Sequence, residues 1–193
     1  MHRTIHRSLP LLAVGLVAAL LGGCADGGAA DAADTAADGA PETVAAEADD
    51  VVEVRMVDFG YDGLPDSVAA GTRLTVVNDA ESELHEVVAF ALPDDEQRPV
   101  SELAGLAPGE LIQALGEPVT VLLAAPGGDQ IPAVGDGTLD EPGRYAIMCF
   151  IPTGADVQEY LEAAADPEHE GPPQVEGGPP HFVHGMFAEL LVE

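Results

Sequence analysis

From Val51 onward, apolar and polar positions alternate at the two-residue period of a strand. Val52, Val54 and Met56 interleave with Glu53 and Arg55, and a turn-rich Gly60-Tyr61-Asp62-Gly63-Leu64-Pro65 follows. Leu74-Thr75-Val76-Val77-Asn78 and His85-Glu86-Val87-Val88-Ala89-Phe90 are apolar, largely β-branched runs that predict two more strands. Segments 101–106 and 110–115, each bounded by Gly or Pro, have short helical character. Val119–Ala124 reads as a strand or a loop edge, and 127–140, rich in Gly, Pro and Asp, as a loop. Gly143–Phe150 is the clearest strand, and the alternation of side chains puts Tyr145, Ile147 and Cys149 on one face. A short helix is predicted over 156–165, a Pro- and Gly-rich loop over 166–180, and a closing strand over Phe187–Val192. Short strands at this spacing predict an all-β sandwich or barrel.

The first residues carry a different pattern. Arg3 and Arg7 precede an apolar run, Leu11–Leu21, and the small residues Gly22 and Gly23. That is the layout of a secretory signal peptide over 1–23, and the run is too short to span about 30 Å of hydrocarbon comfortably. Leu21-Gly22-Gly23-Cys24 resembles the bacterial lipobox, whose cysteine is acylated and becomes the first residue of the mature chain. The expectation is a protein lipid-anchored through Cys24 to the outer face of a bacterial cell membrane. Residues 24–49, dominated by Ala, Asp, Gly, Thr and Glu, read as a flexible acidic tether. One folded domain is then expected over 50–193.

Charge narrows the partners. The chain has 6 basic and 35 acidic residues and a formal net charge of −29. Loss of the signal peptide would leave four arginines and no lysine. Nucleic acid needs cations along its backbone and is excluded as a partner. The acidity serves solubility first, and it would also steer a basic partner. With Cys24 acylated, Cys149 has no disulfide partner within the chain. Its thiol is open to four readings: an inert buried group, an intermolecular bridge, a nucleophile or a metal ligand. No strand–turn–helix nucleophile context favours a hydrolase.

The folded region also holds His85, His169, His181, His184 and Met186. Two imidazoles, a thiolate and a weak thioether are the donors that suit a copper cycling between two oxidation states. Three stretches resemble the cupredoxins, the small blue copper proteins such as plastocyanin and pseudoazurin. They are Asn78 followed by Leu84-His85-Glu86-Val87, Gly143-Arg144-Tyr145-Ala146-Ile147-Met148-Cys149, and Pro180-His181-Phe182-Val183-His184-Gly185-Met186. The resemblance implies a Greek-key cupredoxin-like β-sandwich and one type 1 copper held by His85, Cys149, His181 and Met186. His181, with its preceding proline and five-residue step to Met186, matches better than His184, which lies two before Met186. His169, in a Glu-His-Glu context, is expected to be a surface histidine.

The chain departs from the family where Cys149 and His181 stand 32 residues apart rather than on one tight loop. The usual loop would have to be opened by an insertion at about 153–179, with a second insertion at about 91–142. The resemblance implies a monomeric electron carrier, not an enzyme, that exchanges single electrons with a redox partner. His181 would supply an exposed edge, with Phe182 and Val183 in the docking surface. Copper storage or delivery without a redox partner, and a metal-free interaction module of the same fold, remain the alternatives.

Overall fold

The computed structural model describes residues 50–165 and 171–193. The signal segment, Cys24, the tether and His169 lie outside them. The described strands are β1 (Val51–Val57), β2 (Gly60–Asp62), β3 (Ser67–Val68), β4 (Thr72–Asn78), β5 (His85–Ala91), β6 (Thr120–Ala124), β7 (Ile131–Val134), β8 (Thr138–Leu139), β9 (Gly143–Met148) and β10 (Phe187–Val192). They form two mixed sheets, ordered β2-β1-β4-β8 and β3-β10-β9-β5-β6-β7. The fold is thus a β-sandwich with few helices, and no helix among the described residues is long and apolar enough to cross a membrane.

The two-residue period explains the layers. Val54, Met56, Leu74 and Val76 from one sheet join Val87, Ala89, Leu122, Tyr145, Ile147, Cys149 and Leu190 from the other in the main core. Tyr145, Ile147 and Cys149 therefore share a face, as their alternation predicts. The intervening positions of the six-stranded sheet, Val88, Phe90, Ala146 and Met148, are apolar too and need a second cover. Helices α1 (Val100–Leu103) and α2 (Pro108–Leu115) provide it, burying Val100, Leu103, Leu111 and Leu115 against that outer face. Pro108 opens α2, where a missing amide hydrogen costs nothing.

The stretch 91–142 is only partly an excursion from the sheets. Its first part forms the helical cover, whereas β6, β7 and β8 are strands of the sandwich itself. The run 127–140, expected to be loop, contains β7 and β8. The Thr120 hydroxyl donates to Val134 O at 2.9 Å and accepts from Gly137 N at 3.1 Å, which ties this segment to β6. The sequence hides β7 because it is an edge strand carrying Pro132, and edge strands need neither an apolar face nor every amide.

Asn78 ends β4 and fixes what comes next. Its buried amide donates to Glu83 O at 2.9 Å and to Ala124 O at 2.8 Å, and its carbonyl accepts from Ala80 N at 2.9 Å. The turn before His85 is thereby bolted to the end of β6. Asn78→Ala strips three backbone groups of their partner and is expected to cost about 2 kcal/mol. The urea midpoint of the metal-free protein measures this.

Candidate metal centre

Three elements converge at one end of the sandwich. His85 opens β5 opposite Ala124 of β6, on the side of the strand that carries Val87 and Ala89 into the main core. Cys149 follows β9 directly. Its amide donates to Met186 O at 3.2 Å and its carbonyl accepts from Phe182 N at 2.9 Å. His181 opens a 3-10 turn, His181–His184, which Gly185 ends at φ 106°. That left-handed conformation reverses the chain into β10 and is strained for other residues. Met186 N then donates to His181 O at 3.2 Å, so Met186 is tied to both Cys149 and His181, with its side chain buried in the core.

The 32-residue separation of Cys149 from His181 is closed by backbone pairing. Pro152 and Pro180 form an antiparallel bridge. Thr153 N donates to Pro179 O at 3.1 Å, Gly178 N to Thr153 O at 2.8 Å and His181 N to Ile151 O at 3.0 Å. Gly177 is needed for this closure, since a Cβ there would sit 2.5 Å from Pro152 Cβ. Within the excursion, helix α3 (Val157–Ala164) is capped by the Asp156 carboxylate, which accepts from Glu159 N, and it buries Tyr160. The excursion thus leaves and rejoins the sandwich at one point, and the ends that carry Cys149 and His181 are held together.

At that point Nδ1 of His85 lies 3.0 Å from Nδ1 of His181, and Sγ of Cys149 lies 3.3 Å from the same Nδ1. All three residues are buried, and their donor atoms fall within 4.8 Å of one another. Bonds of about 2.0 Å to imidazole and about 2.3 Å to thiolate, meeting at a tetrahedral angle, put donor atoms about 3.3 and 3.5 Å apart. The observed 3.0 and 3.3 Å are a few tenths of an ångström shorter, within reach of a common ion. A single shared proton fits less well, because it joins two donors and here three converge. Nε2 of both histidines is buried without a hydrogen-bond partner. Nε2 of His181 lies 3.4 Å from Glu83 Oε2, ion-pair range with poor hydrogen-bond alignment.

Burial sets the electrostatics. It lowers His85 to about 4, with the neighbouring His181 acting in the same direction. It lowers His181 as well, against the opposing pull of Glu83. It pushes the Cys149 thiol well above its usual range, and the Glu86 carboxylate adds to that. Without a cation the site is neutral throughout: two free imidazoles and a protonated thiol. A bound divalent ion supplies the positive charge that a buried thiolate lacks.

Glu86 had no assigned role in the sequence, although it breaks the apolar run Val88–Phe90 on the outer side of β5. It is buried and accepts from Phe150 N at 2.9 Å and, at a long 3.5 Å, from the Tyr160 hydroxyl; its backbone carbonyl accepts from the Tyr61 hydroxyl at 2.7 Å. Burial raises its carboxyl to about 7. Two expectations for the surface need correction. His181 is 0% exposed and offers no edge to solvent, and Phe182 packs into the outer core beneath the helices. The turn faces outward with Val183, 56% exposed, and with His184, which stays out of the cluster. The 3-10 turn is the reason, since its first two residues point inward and its next two outward.

A β-sandwich of two mixed sheets that gathers a buried His–Cys–His triad at one end is a cupredoxin-like arrangement, and the triad suits one type 1 copper. No family model matches the chain, and no curated protein does. Among solved structures it is similar to the dithionite-reduced auracyanin of the photosynthetic bacterium Roseiflexus castenholzii, at 19% identity over 76% of this chain and 98% of that one, with a TM-score of 0.40. Auracyanin B matches at 18% over 75% and 88%, with a TM-score of 0.34. Auracyanin A, described as a blue copper protein of Chloroflexus aurantiacus, matches at 14% over 74% and 99%, with a TM-score of 0.35.

Proposed function

We propose that this chain is a type 1 copper protein that carries single electrons, held by a lipid on Cys24 at the outer face of a bacterial cell membrane. The observation that supports it most is the convergence of His85 Nδ1, Cys149 Sγ and His181 Nδ1 in a buried site. His85, Cys149 and His181 would hold the ion, with the Met186 thioether as the weak fourth donor. Copper bound there supplies a one-electron change between its +1 and +2 states.

The chain's own residues do the rest. Glu83, beside Nε2 of His181, favours the tautomer with its proton on Nε2 and leaves the Nδ1 lone pair pointing inward. The two sheets, bolted by Asn78 and by the paired ends of the excursion, fix the donor positions against change between redox states. Burial of all three donors excludes water. No substrate is bound or altered in this reading, so the chain acts as a carrier and not as an enzyme. The partner is a redox protein, and the chain works as a monomer.

Purified protein titrated with Cu(II) is expected to take up one ion per chain, develop an intense visible thiolate-to-copper absorption and give a reversible one-electron wave. Binding of copper without that absorption, or without electron exchange, would sink the proposal.

A further inference from the structure

The helical cover on the outer face of the six-stranded sheet is incomplete. Helices α2 and α3 and strands β5, β6 and β7 line an open cavity there of about 700 Å³. Pockets for small molecules run from about 300 to about 1,000 Å³, with a mostly apolar lining and a few polar groups that fix orientation. This lining is of that kind. Phe90 and Phe150 meet edge-on, centroids 5.8 Å apart, and both line the cavity together with Tyr160. At its mouth Ile112 of α2 and Val134 of β7 are 47% and 41% exposed, large apolar groups left in water that an occupant would cover.

The charged groups of the cavity are of one sign. Glu86 is buried in it, Glu117 is exposed beside it, and among the described residues no arginine or histidine lines it. The strand period puts Glu86 here: His85 faces the main core, and the next residue of β5 faces the outer side. Its carboxyl has capacity to spare. Phe150 N donates to Oε1 at 2.9 Å, and the Tyr160 hydroxyl reaches Oε2 only at a long 3.5 Å. A carboxylate has sites for about four such bonds. An anionic ligand would meet two carboxyl groups of its own sign, and a wholly apolar one would bring Glu86 no donor. An amine brings donors whichever of the two groups holds the proton, and Glu117 favours its ammonium form.

We propose that this cavity binds an arylalkylamine, a small aromatic ring system carrying an amine on a short alkyl chain. The amine sits on Glu86, and the ring lies among Phe90, Phe150 and Tyr160, where edge-to-face and offset contacts extend an aromatic pair already present. The site lies on the opposite face of the sheet from the His–Cys–His triad and needs no copper. It goes beyond the carrier reading and stands or falls without it.

Tryptamine is the probe, added to full-length metal-free protein in about 0.15 M salt, where a screening length of about 8 Å suppresses diffuse attraction to the acidic surface. Calorimetry is expected to show a single site, and backbone amide shifts are expected to centre on Glu86, Val134, Phe150 and Tyr160. Ethylamine has the charge without the ring, and indole-3-propionate has the ring with the opposite charge. Each is expected to bind at least about 10-fold more weakly than tryptamine. Ethylamine binding as tightly would reduce the effect to surface charge, and the propionate binding as tightly would remove Glu86 from recognition; either result overturns the proposal. Glu86→Gln keeps an acceptor for Phe150 N and should weaken tryptamine about 10-fold, the difference between a charge-assisted and a neutral hydrogen bond. Ala133→Trp, at an exposed position of β7 on the cavity wall, should fill the space and abolish binding while the urea midpoint stays near wild type. No binding of tryptamine, unchanged affinity in either variant, or a footprint centred outside the cavity would overturn the site.

Discussion

Cys149→Ser is expected to bind Cu(II) without intense visible colour and more than about 100-fold more weakly than the wild type. Loss of an outer partner of a metal ligand already costs about 10- to 100-fold. Removal of the only thiolate from a set of two imidazoles and a thioether costs more, because the two remaining strong donors are neutral. Serine is close in size to cysteine, so the sandwich should still form. The buried hydroxyl at a position that is 0% exposed costs about 1–3 kcal/mol unless it finds a partner. Ligand linkage separates that cost from the loss of metal. At a free-copper level of about 100 times the wild-type Kd, wild type gains about 2.7 kcal/mol, whereas a variant bound 100-fold more weakly gains only about 0.4 kcal/mol. Denaturation with and without copper, beside competition against a chelator of known affinity, reads both quantities. A serine protein that kept the intense absorption would show that Cys149 is not the source of the chromophore.

Why the triad was readable in one dimension, and its surroundings were not, follows from how each is encoded. Alternation along a strand placed Tyr145, Ile147 and Cys149 on one face, and the short stretches that resemble the family singled out the donors at the strand ends. The closing segment offered two histidines. The family spacing already favoured His181, and the register of the 3-10 turn, through backbone bonds to Ile151 O and Cys149 O, is what points it inward and His184 outward. The closure of the 153–179 excursion depends on pairing between Pro152–Thr153 and Pro179–Pro180, contacts that no local pattern announces. The edge strand β7 was hidden by Pro132 and by its turn-like neighbours. Phe59 was hidden most completely: its ring packs on His181 and His184 from a turn with an unusual backbone angle, and sequence shows only an aromatic residue between Asp58 and Gly60. Glu86 did leave a trace, as a charge on a strand otherwise apolar on both sides.

That charge leads to an effect of comparable size. In the metal-free protein, Glu86→Gln is expected to gain stability over wild type as pH rises from about 4.5 to about 7. The carboxyl of Glu86 titrates near 7 in the fold, against 4.5 for an ordinary Glu. Its folded-state value is raised, so its stabilising contribution is complete below about 4.5 and is lost as pH rises through about 7. A shift of this size is worth about 3 kcal/mol. His85 works in the opposite sense. Its value is lowered to about 4 by burial, so its contribution is complete above the ordinary 6.5 and is lost as pH falls toward 4. His181, lowered for the same reason, adds to the His85 side. Over the shared window the Glu86 and His85 slopes largely cancel, and His181 leaves wild-type stability rising gently with pH. Glutamine removes only the limb that falls with rising pH. It can still accept from Phe150 N, and the Tyr160 hydroxyl can turn to accept from its amide. The difference in unfolding free energy between variant and wild type should therefore widen by up to about 3 kcal/mol across the window. Urea midpoints at matched ionic strength measure it. Parallel curves for the two proteins would mean that Glu86 is already ionised throughout, and that its burial is relieved by a contact other than those with Phe150 and Tyr160.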